Sequence, residues 1–481
     1  MRNSWVDRTV LSNQGQVDGR SMFSNRGLVV GRSMIHLATA ALVALAFCGL
    51  TRSASAQLEF ERPPINYTEA ESQDPIARLQ AQLDAGEVEL EYHPTRGYLD
   101  DLLVKLQVPE ESQALVFSKT SFQLRRIDPR RPRAVYFGDD VYLGFVQNGD
   151  VVEAMAVDPV LGPIFYTLEQ QESEPPKFVR DRGQCLTCHA SSRTQGVPGA
   201  FVRSVFVDRG GQPLLGSGTF TTDHRSPFEQ RWGGWYVTGT HGDSLHMGNG
   251  CVENPKDSNT LDRVGGANVV DLSSRIRLEP YRTPHSDIVG LMVLEHQSYV
   301  QNLITLAHYE TRLACHYDGV MNEALQRPAE HRSDSTERRI TSVVEKLVDG
   351  MLLVDEFPLT EPVTGTSGFA ETFSQSGKQD SQGRGLRQLD LQTRLFRYPC
   401  SYLIETTHFD TLPDEVKQRV AERIEKVLSD PTADPRYRHI SAEDAQAVLE
   451  ILSEIKPELF GPAASAAREA SAEETSEGSN G

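Results

Sequence analysis

The spacing of apolar positions changes several times along the chain. Met34 to Leu50 is an almost unbroken apolar run. A polar, extended stretch follows, and Pro75 then opens a helical pattern from Ile76 to Leu83, stopped by Gly86. A second short helix fits Gly97 to Leu106. From about residue 112 the period shortens to that of strands: Ala114–Phe117, Arg133–Phe137, Val141–Val146, Val151–Val157 and Pro163–Leu168. Asn148-Gly149-Asp150 between two of them is a hairpin signal. The pattern predicts an antiparallel meander of four or five strands. Strand character returns at Ala200–Val207, before a Gly210-Gly211 turn, and at Gly234–Thr238.

Beyond residue 284 the period becomes helical. Pro284 and Ser286 open the longest helix, to about Cys315, with a stripe through Ile288, Met292, Tyr299, Leu303 and Ala307. His296 falls on that stripe, as do Glu295 at its edge and Glu310, while His308 falls on the other side. Further helices are predicted over about 335–354, capped by Asp334 or Ser335, and from Pro413 through Val416, Val420, Ile424 and Val427. Ser441-x-x-Asp444 caps a last helix ending near Ile455. Leu395–Ile404 is apolar and aromatic and should be buried.

The fold class expected is therefore α+β: a β-rich antiparallel domain followed by a mainly helical domain. Residues 57–110 form an N-terminal helical segment and 111–250 the β-rich domain. A connector rich in Asn, Asp, Gly and Pro covers 251–284. The helical domain covers 285–460, with a long loop at 361–386 that reads equally as a functional cover or as disorder. Residues 461–481, Ala/Ser/Glu-rich, form a disordered tail.

Between the meander and the later strands lies Cys185-Leu186-Thr187-Cys188-His189. This is C-x-x-C-H, the attachment sequence of a c-type haem. Two intervening residues let both thiols reach one porphyrin edge and form thioethers, and the adjacent His189 offers an axial nitrogen to the iron. The stretch after Pro175-Pro176 and Arg180-Asp181-Arg182-Gly183 reads as a loop. A zinc site would need a second ligand pair, which the sequence lacks. A thioredoxin-like redox motif would need a βαβ setting. One covalent haem c is the cofactor expected, held by Cys185 and Cys188, with His189 on the iron.

The sixth iron ligand is open. Between His224 and Asn249 the chain offers three imidazoles and one thioether, with Trp232, Trp235 and Tyr236 to wall a porphyrin. His246, Met247 and His241 are the candidates; the alternative for each is a histidine satisfied by loop hydrogen bonds. Glu295 and Glu310 on the long helix need partners if buried. Pairing with arginines such as Arg275, Arg277 or Arg282 is one reading, and proton handling beside the haem is the other.

The apolar run at 34–50 ends in Ala54-Ser55-Ala56, a small-residue cleavage site before Gln57. It is short for a membrane span and has the flanks of a secretory signal. Residues 1–56 are thus read as a signal-peptide region, with Met22 or Met34 as alternative starts and an uncleaved anchor as the alternative fate. Lipidation at Cys48 is disfavoured by bulky Phe47. Export and haem c fit each other, because bacterial attachment takes place outside the cytoplasm. The expected location is periplasmic or otherwise exported, with no stable membrane span after cleavage.

Cleavage leaves 425 of 481 residues and removes six arginines and two aspartates, moving the net charge from −19 to −23. Such acidity argues against nucleic acid or anionic membrane as partners; it fits a basic redox partner, and a merely soluble acidic protein is the commoner explanation. Cys251, Cys315 and Cys400 remain after the leader and the motif are set aside, enough for one disulfide at most.

Three longer strings, Arg231–Gly242, His246–Asn249 and Leu395–Ile404, together with the C-x-x-C-H motif, resemble a group of exported bacterial proteins described as cytochrome-c-domain containing. The likeness covers most of the mature chain. It implies haem and export but no established reaction, and only Cys185, Cys188 and His189 carry a transferable role. The single motif departs from dihaem cytochrome c peroxidases. Three readings follow. The first is an exported monohaem cytochrome that passes electrons. The second is a haem enzyme, peroxidase- or oxidase-like, with a small-molecule substrate and an open sixth position. The third is a haem-based ligand-binding sensor.

Overall fold

Six strands follow one another in both sequence and space: β1 (Ala114–Val116), β2 (Arg133–Phe137), β3 (Val141–Phe145), β4 (Val151–Asp158), β5 (Gly162–Glu169) and β6 (Phe178–Arg180). Every neighbouring pair is antiparallel, so the sheet is the expected meander with one strand more than the sequence pattern gave. The computed structural model describes residues 58–172, 175–462 and 464. The leader, its cleavage site and nearly all of the expected tail lie outside them.

The hairpins explain the register. β4 and β5 pair from Val151↔Glu169 to Asp158↔Gly162 across a turn capped by Asp158, whose side chain takes the amides of Val160 and Leu161. Asn148 sits at φ 54° in the turn before β4, a conformation asparagine tolerates better than most residues. Beyond the sheet, β7 (Val202–Val205) and β8 (Thr219–Thr222) form a separate antiparallel ribbon. Gly234–Thr238 does not form a strand. It makes only isolated bridges, Val116↔Trp235 and Thr238↔Asp287, because Gly234 adopts φ 82° and Gly239 φ 155°, which break the extended run. The expected connector contains a small hairpin, Val252–Asn254 with Asp257–Leu261.

The long helix, α4 (Ile288–Leu325), has 38 residues; helices α1 to α3 are Pro75–Asp84, Leu99–Lys105 and Leu186–His189. Asp287 caps α4 by accepting from the amides of Val289 and Gly290. From Ile288 to Tyr309 every residue but Tyr299 is buried, so this half is a core helix surrounded on all sides, not an amphipathic one with a single inward stripe. Its polar residues are therefore buried and need partners. Gln297 donates to Gly138 O and the Tyr142 hydroxyl, and Gln301 donates to Asp139 O, pinning the helix to the β2–β3 turn.

Asp334–Met351 packs on α4, and its cap is Ser333, not Asp334 or Ser335. Residues 361–386 carry a helix, Phe369–Gln375, and are tied down by Asp287, which accepts from the amides of Thr366 and Ser367. Leu395–Ile404 contributes Leu395, Phe396, Cys400, Tyr402, Leu403 and Ile404 to the interior, as its composition required. The last long helix, Ala442–Ile455, starts where Ser441 accepts from the amide of Asp444. Strand and helix side chains form one continuous apolar core, and the chain from Glu59 onward is one compact unit. This is the α+β arrangement expected, sheet first and helices after. No described helix is long and apolar enough to cross a membrane.

Candidate functional site

The C-x-x-C-H stretch is a single helical turn, not the irregular loop its setting suggested. Cys185 N-caps α3, and the amides of Cys188 and His189 both bond to Cys185 O. The reason lies four residues upstream of Cys185. Asp181 accepts from the amides of Gly183 and Cys185, both at 2.9 Å, and so winds the chain into the turn. Gly183, at φ 122°, supplies a conformation other residues avoid.

The turn presents Cys188 outward and leaves Cys185 half-buried; neither is in a disulfide. Burial pushes the Cys185 thiol up to about 12, with Asp181 and Glu153 adding to the effect and Arg133 opposing it. His189 lies between the rings of Phe165 and Phe201, with centroids 4.9 and 5.2 Å away. Its Nδ1–H donates to Gly199 O at 2.8 Å, and the Gly199 amide returns a bond to His189 O. The bond at Nδ1 fixes the tautomer and leaves the Nε2 lone pair without a partner among the described residues. Burial lowers the pKa of this imidazole, which keeps it neutral. Ligating histidines show the same pattern, one nitrogen bonded to a carbonyl and the other free. Two unpaired thiols one turn apart and this free nitrogen fit a covalently held haem.

The loop after the motif is locked to the long helix. Asn302 Nδ2 donates to Ala200 O at 2.7 Å, and a Cβ built on Gly199 would run into Asn302 Oδ1. Beside this latch is a cleft of about 320 Å³, lined by Arg193, Phe201, Thr222, Arg225, Tyr299 and Asn302 among others. Arg225 is clamped by Asp223 and lies over the Tyr299 ring at 4.2 Å.

The candidate sixth ligands lie elsewhere in the interior. The rings of His241 and His246 meet at a tilt, with centroids 4.8 Å apart, and Trp232 lies 5.3 Å from His246. His246 Nδ1 accepts from the Gly248 amide, and His241 Nε2 accepts from the Asn268 amide. Each ring's lone pair is thereby used, and the remaining nitrogen carries the proton. Met247 Sδ takes the Ser204 hydroxyl at 3.6 Å and packs with Phe206, Val252 and Leu261. No ring contact or hydrogen bond joins His189 to His241, His246 or Met247.

A buried polar centre lies behind the cleft. Glu295, fully buried, pairs with Arg231 at 3.0 Å through one carboxylate oxygen and has the Thr222 side chain beside it. Burial raises Glu295 to about 7, with Arg231 opposing. Glu356, also near Arg231, is raised to about 7 by burial. Next to them His224 and His296 share a hydrogen bond at 3.1 Å between their Nδ1 atoms, and His296 Nε2 meets Ser401 Oγ at 2.8 Å. This chain admits two proton arrangements, with Ser401 donating or accepting. Thr222 lies against Glu295, and His224 lies against the Val354 backbone. A separate pair, His308 and His408, stacks in parallel at 5.3 Å.

The sequence located Glu295, Glu310 and His296 but not their partners. Glu310 pairs with Arg339, while Arg275 bonds the backbone and Arg282 bonds Glu110 and Asp100. The partners Arg231, Glu356, Ser401 and His408 carry no local signal, since they meet the long helix only through folding. Cys251, Cys315 and Cys400 are all unpaired. No family model, no curated protein and no solved structure matches the chain.

Proposed function

We propose that the chain is an exported monohaem c-type cytochrome that transfers electrons, with Cys185 and Cys188 holding the haem and His189 binding its iron. The observation that carries this reading is the state of His189. Its Nδ1–H is engaged by Gly199 O and its Nε2 is free, one turn from two unpaired cysteines. A covalently held haem supplies a one-electron couple. The chain's own residues orient the ligand, exclude water with Phe165 and Phe201, and latch the loop to a rigid helix through Asn302. The leader at 1–56 supports export, which haem-c attachment requires.

The same geometry supports an open sixth position, because His241 and His246 have their lone pairs committed to backbone amides. That favours the enzyme reading as the second: a small substrate in the cleft, with Glu295 as a proton donor behind it. The test is an optical spectrum of protein matured with the c-haem machinery, oxidised and reduced, with and without carbon monoxide. A haem band that survives denaturation is expected, and its absence overturns the proposal. A low-spin reduced iron that ignores carbon monoxide supports electron transfer. A high-spin iron that binds it supports the enzyme, and peroxide turnover is then compared between the parent and Glu295→Gln.

A further inference from the structure

Between Ile288 and Tyr309 the long helix is buried everywhere but at Tyr299, and that ring opens into the cleft beside the haem motif. Contacts join this cleft to the motif. Ser192 and Arg193, just past His189 in the chain, belong to its lining. So does Phe201, whose ring lies 5.2 Å from that of His189. Asn302, also in the lining, holds Ala200 O at 2.7 Å and so ties the wall that carries Phe201 to α4.

On a chain with a net charge of −19, this lining carries two guanidinium groups and one carboxylate. Asp223 fixes Arg225: its oxygens accept from Nε at 3.1 Å and from Nη2 at 2.6 Å, and the guanidinium lies over the Tyr299 ring at 4.2 Å. Nη1 keeps no partner among the described residues. Arg193 lies over the Phe201 ring at 6.0 Å, and its side chain makes no hydrogen bond or ion pair among the described residues. The carboxylate beyond Thr222, that of Glu295, is taken by Arg231 at 3.0 Å. The cleft therefore presents one pinned guanidinium with donors to spare and one that is not neutralised. A guanidinium is a planar set of donors matched to carboxylate oxygens. Holding it in place beforehand lowers the entropy lost when an anion binds.

We propose that this cleft is a carboxylate-binding site, in which Arg225 and Arg193 hold the anion beside the rings of Tyr299 and Phe201. Two sources have that chemistry: the propionate groups of a covalently held haem, and a free small carboxylate as the substrate of the enzyme reading. The propionate source rests on the haem reading; the site itself does not.

The test compares the matured, haem-bearing chain with Arg225→Gln, Arg193→Gln and Arg203→Gln. Arg203 is a control, because it feels the charge of Cys188 but does not line the cleft. Benzoate is titrated by calorimetry against each, with benzyl alcohol as the same ring without the charge, and the midpoint potential of the haem is measured in all four. Benzoate that binds the parent and Arg203→Gln alike, and both cleft variants at least tenfold more weakly, supports the site with a free carboxylate as its occupant. If benzoate is excluded, a midpoint potential that falls in the two cleft variants, and less in Arg203→Gln, supports the site with the propionates in it. The sign follows because losing a cation disfavours the added electron. Benzoate excluded with no fall, or with an equal fall in all three variants, overturns the proposal. So does benzoate binding that the cleft variants leave unchanged, or benzyl alcohol bound as tightly as benzoate. Failure of the haem reading is seen separately, as a missing haem band; benzoate binding to the haem-free chain then decides the site alone.

Discussion

The haem-motif turn and the polar centre around Glu295 hold their chemistry in opposite ways. The turn lies at the surface, and its groups are placed by near neighbours in sequence: Asp181 on the amides of Gly183 and Cys185, Gly199 on His189. Its thiols and free nitrogen stay available. The centre is fully buried, and its partners are 64 residues apart for Arg231 and Glu295 and 105 apart for His296 and Ser401. Available chemistry can be written into five consecutive residues. Buried chemistry must be assembled by the whole fold, and removing one member leaves the other exposed to the cost of an unpaired buried charge.

The largest effect expected separates the two regions. Cys185→Ala with Cys188→Ala should remove all covalent haem from the matured protein. It should shift folding stability by less than about 1 kcal/mol, because neither side chain is fully buried. Urea unfolding and a denaturing haem stain check the two halves of this statement; a cooperative loss of structure would show that the turn organises the fold.

Arg231→Met should do the reverse. It leaves the Glu295 carboxylate buried without its partner and should cost about 3–5 kcal/mol, read as a lower urea midpoint, with haem per folded molecule unchanged. Adding Glu295→Leu should recover most of that loss. No recovery would mean that the guanidinium serves Glu356 or the backbone of His224 more than Glu295.

Acid should weaken the buried side selectively. Burial holds His224, His246, His296, His308 and His408 below the usual histidine value. Below about pH 6.5 the unfolded chain binds protons that the folded chain refuses, so their contribution is lost as pH falls. Each imidazole weakens folding by up to about 1.4 kcal/mol per pH unit. Glu295 and Glu356, raised to about 7, act in the opposite sense. Their contribution is full below about 4.5, the ordinary value for this carboxyl, and lost as pH rises through about 7. With His189 and His241 also lowered and Asp140 and Glu405 also raised, seven imidazoles stand against four carboxyls and give a net loss on acidification from pH 6.5 to 5, measured as a falling urea midpoint. A rising midpoint over that range would contradict the neutral imidazoles.

The smallest effect tests the latch that joins the regions. Gly199→Ala should cost about 1–3 kcal/mol, because the added methyl meets Asn302 Oδ1. Asn302→Ala on the same chain should relieve part of that cost, so the double variant is less damaged than the two single ones together. Strict additivity would place the strain elsewhere.

By itself the sequence determined what depends on near neighbours. The five-residue motif, the strand–turn–strand periods up to β5, the helix opened by Pro75, the cap at Ser441 and the burial of Leu395–Ile404 are all local, since a turn, a strand face or a helix cap is decided within a few residues. The long helix was found but misread as one-sided, because a period of 3.6 marks one apolar stripe and says nothing of what covers the polar face. The tertiary structure decided that face. It brought Arg231 to Glu295, Ser401 to His296 and His408 to His308, none of which is near the helix in sequence. It also gathered arginines from 130, 131, 209, 275 and 277 into one cationic groove on an acidic chain. Net charge is a sum over all residues, whereas the field at a surface depends on which of them fold together.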